Sequence, residues 1–304
     1  METYQIILIV IGGVVFLLLF FYFLISMFLV RYLSYPKKHD IEWTHNFDVE
    51  KGLIPEDMSF LKREPVQIVA RDGTIIEGDF SPHENPRGII VLAHGYTWTR
   101  EGCLKYAQFF YKNGFSIFVF DERFHGKSKY KYTTMGHLES KDICDIVKYL
   151  RDKYGKDIVI GLHGESMGAA STMMALGQDI DVQFAIEDCG YASLKELIAY
   201  QLKCMHLPKI FLFGSNLFLK LNHKYRLEDV EPSKNAAKTN IPLLIVHGHA
   251  DDFVPFYNSD LVYEDNKNHA EKYIVEGAKH AESYETNPQE YERVVMDFIN
   301  RHIK

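Results

Sequence analysis

Gly164-Glu165-Ser166-Met167-Gly168 decides how this chain reads. It follows the apolar run Ile158-Val159-Ile160-Gly161-Leu162 and precedes Ala169-Ala170-Ser171-Thr172-Met173-Met174-Ala175-Leu176, a helical stretch. A strand, a sharp turn with a serine between glycines, and a helix make the setting of a nucleophile elbow. Side chains at Gly164 and Gly168 would crowd such a turn. The turn lifts the hydroxyl clear of the sheet. It also sets the next backbone N–H at a helix N-terminus, where an oxyanion is stabilised.

Working outward, the neighbouring segments alternate. Strand-like runs at 66–70 and 75–80 are joined through Arg71-Asp72-Gly73-Thr74, a hairpin signal. From Gly88 onward, apolar strands at 89–93, 116–121, 184–188, 243–247 and 272–276 alternate with helical stretches. Over 140–154 the stripe Ile143, Ile146, Val147 and Leu150 has helical period, and a terminal helix is predicted over 288–303. Continuous apolar strands alternating with helices predict an α/β fold: a mostly parallel, doubly wound sheet covered on both faces. About 55 residues separate the 184 and 243 strands, far more than one crossover needs. They predict an inserted helical lid over about 190–238, with the apolar run Leu207-Pro208-Lys209-Ile210-Phe211-Leu212-Phe213 inside it.

The first residues differ in kind. Ile6 to Val30 carries no charge, and 25 helical residues reach about 37 Å, more than a hydrocarbon core requires. No basic start and no A-x-A cleavage site marks a signal peptide. The expected organisation is a transmembrane anchor at 1–33, a juxtamembrane linker at 34–64 and the catalytic domain at 65–304. Arg31, Lys37 and Lys38 follow the span and only Glu2 precedes it. That bias makes a single-pass cell-membrane protein with a cytoplasmic domain the expected topology, an extracellular domain being the alternative.

The chain has 304 residues and a formal net charge of −7, so no basic surface is expected and nucleic acid is excluded as a partner. Cys103, Cys144, Cys189 and Cys204 form no C-x-x-C pair, which argues against a zinc site or disulfide framework. Neither repeats nor low-complexity tracts occur. Nothing in the sequence sets the oligomeric state.

A serine hydroxyl needs a base within reach and an acid to orient that base, following in the chain order serine, acid, histidine. The 243 strand leads into His247-Gly248-His249-Ala250-Asp251-Asp252-Phe253-Val254-Pro255, and the 272 strand into Glu276-Gly277-Ala278-Lys279-His280. Ser166 and His280 are the candidate nucleophile and base. Spacing alone leaves Asp251 and Asp252 both open as the acid. His94, His125, His163, His247 and His249 also sit near strand ends, where histidines are more often structural. The oxyanion donors expected are the backbone N–H groups of Met167 and Tyr96. The pattern His247-x-His249-x-Asp251-Asp252 resembles part of the H-x-H-x-D-H metal motif, but Asp252 stands in place of the last histidine and the fold expected here is not the metallo-β-lactamase one.

Four motifs carry a family resemblance: Leu92-Ala93-His94-Gly95; Asp121-Glu122-Arg123-Phe124-His125-Gly126-Lys127-Ser128; Gly164-Glu165-Ser166-Met167-Gly168; and the loop 247–255. Over roughly residues 64–303 the chain resembles the α/β-hydrolase superfamily. More narrowly it resembles bacterial membrane-anchored serine hydrolases of the bile-acid-CoA:amino acid N-acyltransferase/FrsA-like and S33-like group. The family pattern H-G-x-x-D-x-x-V-P assigns the acid to Asp251 and implies that Asp121, Arg123 and His125 belong to a structural loop. The resemblance implies a membrane-anchored serine hydrolase that cleaves a carboxylic ester of a small acyl compound, lipid-like ones included, without metal or organic cofactor. A peptidase or amidase with the same triad is the alternative, and a catalytically silent anchored binding protein is the rival from another class.

Overall fold

The computed structural model describes residues 2–303. Eight strands form one sheet in the order β1-β2-β4-β3-β5-β6-β7-β8. They are β1 (Glu64–Val69), β2 (Ile75–Ser81), β3 (Gly88–Ala93), β4 (Phe115–Phe120), β5 (Ile160–Glu165), β6 (Phe184–Asp188), β7 (Leu243–Gly248) and β8 (Ala270–Val275). β1 and β2 form the antiparallel hairpin expected from Asp72-Gly73, β2 joins β4 antiparallel, and every pair from β4 to β8 is parallel.

The helices are α1 (Thr3–Ser34), α2 (Ile41–Glu50), α3 (Leu104–Lys112), α4 (Glu139–Tyr154), α5 (Met167–Leu176), α6 (Leu194–Cys204), α7 (Phe211–Asn222), α8 (Pro232–Ala236), α9 (Tyr257–Asn266), α10 (Ser283–Thr286) and α11 (Pro288–His302). The period of two along the strands sorts the core. Ile90, Leu92, Ile117 and Val119 meet Phe109 of α3 and Phe298 of α11 on one face. Ile89, Val91, Phe118 and Phe120 meet Ile143 and Leu150 of α4 and Met173 of α5 on the other. Such two-sided burial is what makes the parallel strands continuously apolar.

A third cluster lies above the sheet's C-terminal edge, where the insertion between β6 and β7 folds down. Leu197 and Ile198 of α6 and Phe211, Leu212 and Leu219 of α7 pack there against Met167, Tyr191 and Val254. The same cluster takes in Leu29, Val30 and Leu33 from the last turns of α1. α1 is one unbroken helix of 32 residues, long and apolar enough to cross a membrane. It ends at Tyr35-Pro36, where the residue before proline leaves the helical region.

The stretch 34–64, expected as a linker, packs on the body. Asp40 caps α2 by accepting from Trp43 N–H at 2.7 Å, and Thr44 and Asp48 are buried. The signal for α2 lay in the sequence as a cap residue, Asp40, with Glu42 in the first turn.

Candidate active site

Ser166 sits between the end of β5 and the start of α5 with φ 54° and ψ −111°, a costly conformation for a residue with a Cβ. The flanking glycines let it exist. A Cβ on Gly164 would lie 2.2 Å from the Gly168 carbonyl oxygen, and one on Gly168 would lie 2.2 Å from the Ala93 carbonyl oxygen. Met167 is the first residue of α5, so its N–H has no acceptor within the helix.

The structure brings Ser166, His280 and Asp251 together. Ser166 Oγ lies 2.8 Å from His280 Nε2, and His280 Nδ1 lies 2.7 Å from Asp251 Oδ2. The second Asp251 oxygen accepts from the N–H groups of Phe253 and Val254 at 3.0 and 2.9 Å. Burial penalises the Asp251 carboxylate, but hydrogen bonds from His247 and His280 outweigh that and hold its pKa at about 2. Asp252 is exposed and outside this relay. Its carbonyl accepts from Tyr200 OH at 3.1 Å.

Of the other histidines only His247 touches the relay, its Nε2 lying 3.4 Å from Asp251 Oδ2. His94 Nδ1 lies 2.8 Å from the Gly95 carbonyl and its Nε2 accepts from Glu122 N–H at 3.0 Å. His125 Nε2 accepts from Thr97 N–H at 3.2 Å. Together they brace the loop carrying Tyr96, which lines the cleft beside Ser166. His163 pairs with Tyr291 OH at 2.8 Å. His247 is buried with its Nε2 2.9 Å from the Val254 carbonyl, whereas His249 is a surface residue 3.0 Å from Glu276. The two histidines of the metal-like pattern thus serve different environments. Arg123 pairs with Asp142 at 2.5 Å and Asp72 at 2.6 Å, and Asp121 accepts from Arg100 and Lys127 backbone N–H groups at 2.9 Å. These residues hold a loop.

Ser166 opens into a cleft of about 530 Å³. Its walls include groups that sequence reasoning missed. Phe47 and Asp48 come from α2 and Tyr32 from the end of α1. His39, Trp43 and Phe47 stack in a row, the first two rings 3.7 Å apart, and Trp98 meets them edge to face to complete an aromatic rim. Lys105 Nζ pairs with Glu165 at 2.6 Å beneath this rim. Asp48 is 2% exposed, and its Oδ2 finds no hydrogen-bond partner among the described residues. Burial, with Glu165 and Glu285 adding and Lys105 opposing, raises the Asp48 pKa to about 7. A second, narrow cavity leads from Ser166 between Leu33 of α1 and Leu197 and Ile198 of α6.

Comparison with known proteins agrees with this fold. The family described as Serine aminopeptidase, S33, matches residues 84–187. The uncharacterized protein YqkD of Bacillus subtilis is 34% identical over 224 residues, 72% of this chain and 73% of that protein. The uncharacterized protein YfhR of Escherichia coli K12 is 26% identical, covering 78% of this chain and 80% of that one. Among solved structures, the Pyrococcus furiosus esterase Pf2001 superposes with a TM-score of 0.68 at 26% identity, over 83% of this chain and 95% of its own.

Proposed function

The chain belongs to the α/β-hydrolase superfamily, in its S33-like group, and from that premise we propose that it is a membrane-anchored serine hydrolase cleaving a carboxylic ester. The observation that carries this reading is the unbroken relay from Ser166 Oγ through His280 to Asp251, at 2.8 and 2.7 Å. Ser166 Oγ attacks the acyl carbon while its proton passes to His280 Nε2. Asp251 holds the imidazole with Nδ1–H toward itself and stabilises the charge that forms. The N–H groups of Met167 and Tyr96 receive the oxyanion. As the tetrahedral intermediate collapses, the bond from acyl carbon to alcohol oxygen breaks and His280 returns the proton to the leaving alcohol. Water then attacks the acyl-enzyme by the same route, releasing a carboxylic acid and restoring Ser166.

Anchoring is supported by the end of α1. Leu29, Val30 and Leu33 are buried in the body, packing that removal of the helix would forfeit. An amidase or aminopeptidase is the second reading. The observation favouring it is Glu282 on the cleft wall, beside the Lys51–Glu285 ion pair, where its carboxylate can meet a substrate ammonium group.

A fluorophosphonate probe tests the mechanism. The wild type should label covalently and Ser166→Ala should not. Equal labelling of both would overturn the serine assignment. Relative rates on p-nitrophenyl esters and aminoacyl amides separate the two readings.

A further inference from the structure

The lid helix α7 is seated directly on the anchor. A Cβ on Gly214 would lie 2.1 Å from Ser26 Oγ, so glycine is what lets the two helices meet. The Tyr22 ring stacks on Phe211 with centroids 5.5 Å apart, and its hydroxyl donates to the Ile210 carbonyl at 3.1 Å. Phe23 meets Phe218 edge to face.

These contacts fix the depth of α7. A hydrocarbon core of about 30 Å holds about 20 helical residues. Placed as far toward the N-terminus as the uncharged stretch permits, from Ile6, the core ends near Ile25. Placed against Arg31, it begins near Ile11. Tyr22 and Phe23 lie inside it in both placements, so the residues of α7 that touch them lie at hydrocarbon depth as well.

The outer face of α7 has matching chemistry. Ile210, Phe213, Leu217 and Leu221 are spaced to share one helical face, and they are 64%, 73%, 40% and 59% exposed. Monomeric soluble proteins rarely leave such a contiguous stripe in water. It runs beside the exposed Phe23, Leu24, Met27 and Phe28 of α1. Lys209, Lys220 and Lys224 are exposed around it, as befits a helix lying among lipid headgroups with its apolar face down.

Behind this face an apolar seam runs toward the nucleophile. Leu29, Val30 and Leu33 of α1 face Ile198, Leu202 and Met205 across one narrow cavity. Leu33, Ile198 and Gln201 also line the next cavity, which reaches Ser166.

We propose that α7 is sunk in the same membrane leaflet as the C-terminal half of the anchor, and that the seam between α1 and the lid, whose two cavities hold only about 20 Å³ each, parts to admit the acyl chain of a bilayer-resident ester sideways to Ser166. This rests on the reading of α1 as a membrane span and of Ser166 as the nucleophile. The polar part of the ester then occupies the wide cleft under the aromatic rim, and the scissile carbonyl lies between the two.

The test uses the full chain in vesicles of phosphatidylglycerol and phosphatidylcholine. Bimane is attached to Phe213→Cys in a Cys204→Ser background, since Cys204 is the one exposed native thiol among the described residues. Lipids brominated along their acyl chains should quench it, and aqueous iodide should not. Quenching by iodide instead would overturn the proposal. So would shielding from both quenchers together with cross-linking to a second copy. In parallel, Phe213→Asp with Leu217→Asp should cut turnover of vesicle-embedded p-nitrophenyl palmitate by roughly tenfold or more. Turnover of dissolved p-nitrophenyl acetate, and fluorophosphonate labelling, should remain within about twofold of wild type, because neither needs the leaflet. Unchanged turnover of the embedded ester would exclude lateral entry. A wild type that fails to label at all would refute the hydrolase reading, and the quenching result would still decide the depth of α7.

Discussion

At Ser166 the backbone holds a conformation that most residues avoid, and the hydroxyl meets His280 because of it. The acid has an equally local explanation. Asp251 has both oxygens engaged and is buried, while its neighbour Asp252 points outward. Asp251→Asn should therefore lower kcat by about a thousandfold or more, whereas Asp252→Asn should stay within about twofold. Steady-state rates on one ester check this, and the reverse order would mean the register of the 247–255 loop is misread. Asp48 gives a prediction in pH. Its pKa rises from 3.8 unfolded to about 7 in the folded protein, so between those values the native state keeps a proton that the unfolded state has lost. Stability then falls as pH rises through that window, by at most about 1.4 kcal/mol per unit from this group. Asp48→Asn removes the penalty. Its Tm should exceed the wild type's by several degrees at about pH 8, with the gap shrinking toward about pH 4, where both states are protonated. A gap independent of pH would contradict the burial argument.

Among elements, those built on a strict period were legible from sequence. The β3, β4, β6 and β7 strands and the α4 and α11 helices fall within two residues of their expected limits, because burial on two faces or one stripe leaves little choice of residue. So was the elbow, whose glycines answer to carbonyl oxygens 2.2 Å from a hypothetical Cβ. The site's core, Ser166, Asp251 and His280, could be ordered along the chain because each follows a parallel strand. What escaped was whatever depends on contacts between distant segments. α2 is short and only weakly amphipathic, and its role comes from Asp48 and Phe47 reaching the cleft. The ion pair of Lys105 with Glu165 joins residues 60 positions apart and has no local signature. The lid was visible as excess length and apolar content, but its seat on Ser26 depends on Gly214 lying opposite, a match that no periodicity encodes.

At the scale of the molecule, α1 is long and apolar enough to cross a membrane, and its last turns belong to the core. Deleting residues 2–34 would remove Leu29, Val30 and Leu33 from the lid cluster, each buried to within 7% exposure. Burial of such side chains contributes roughly 1.5–3 kcal/mol apiece. A truncation ending after Leu24 keeps all three, so in detergent it should melt on the order of 10 °C above the longer deletion. Equal melting temperatures would mean the last turns of α1 add nothing to the fold. The end of α1 is also clasped from the loops around the cleft. Tyr96 OH donates to the Tyr32 carbonyl, and Thr133 N–H donates to the Ser34 carbonyl at 3.0 Å.

A body hung from a membrane by a flexible tether samples many headings and spends most encounters facing away from the surface. Here the helix runs without a break from Thr3 to Ser34 and its final turns are packed into the body. With α1 in a membrane as proposed, rotational freedom about the membrane normal would remain, but tumbling toward and away from the surface would be removed. On that reading the orientational entropy of finding the surface is lost in folding, and each encounter with the proposed leaflet-held substrate would begin with the cleft at one height and one inclination.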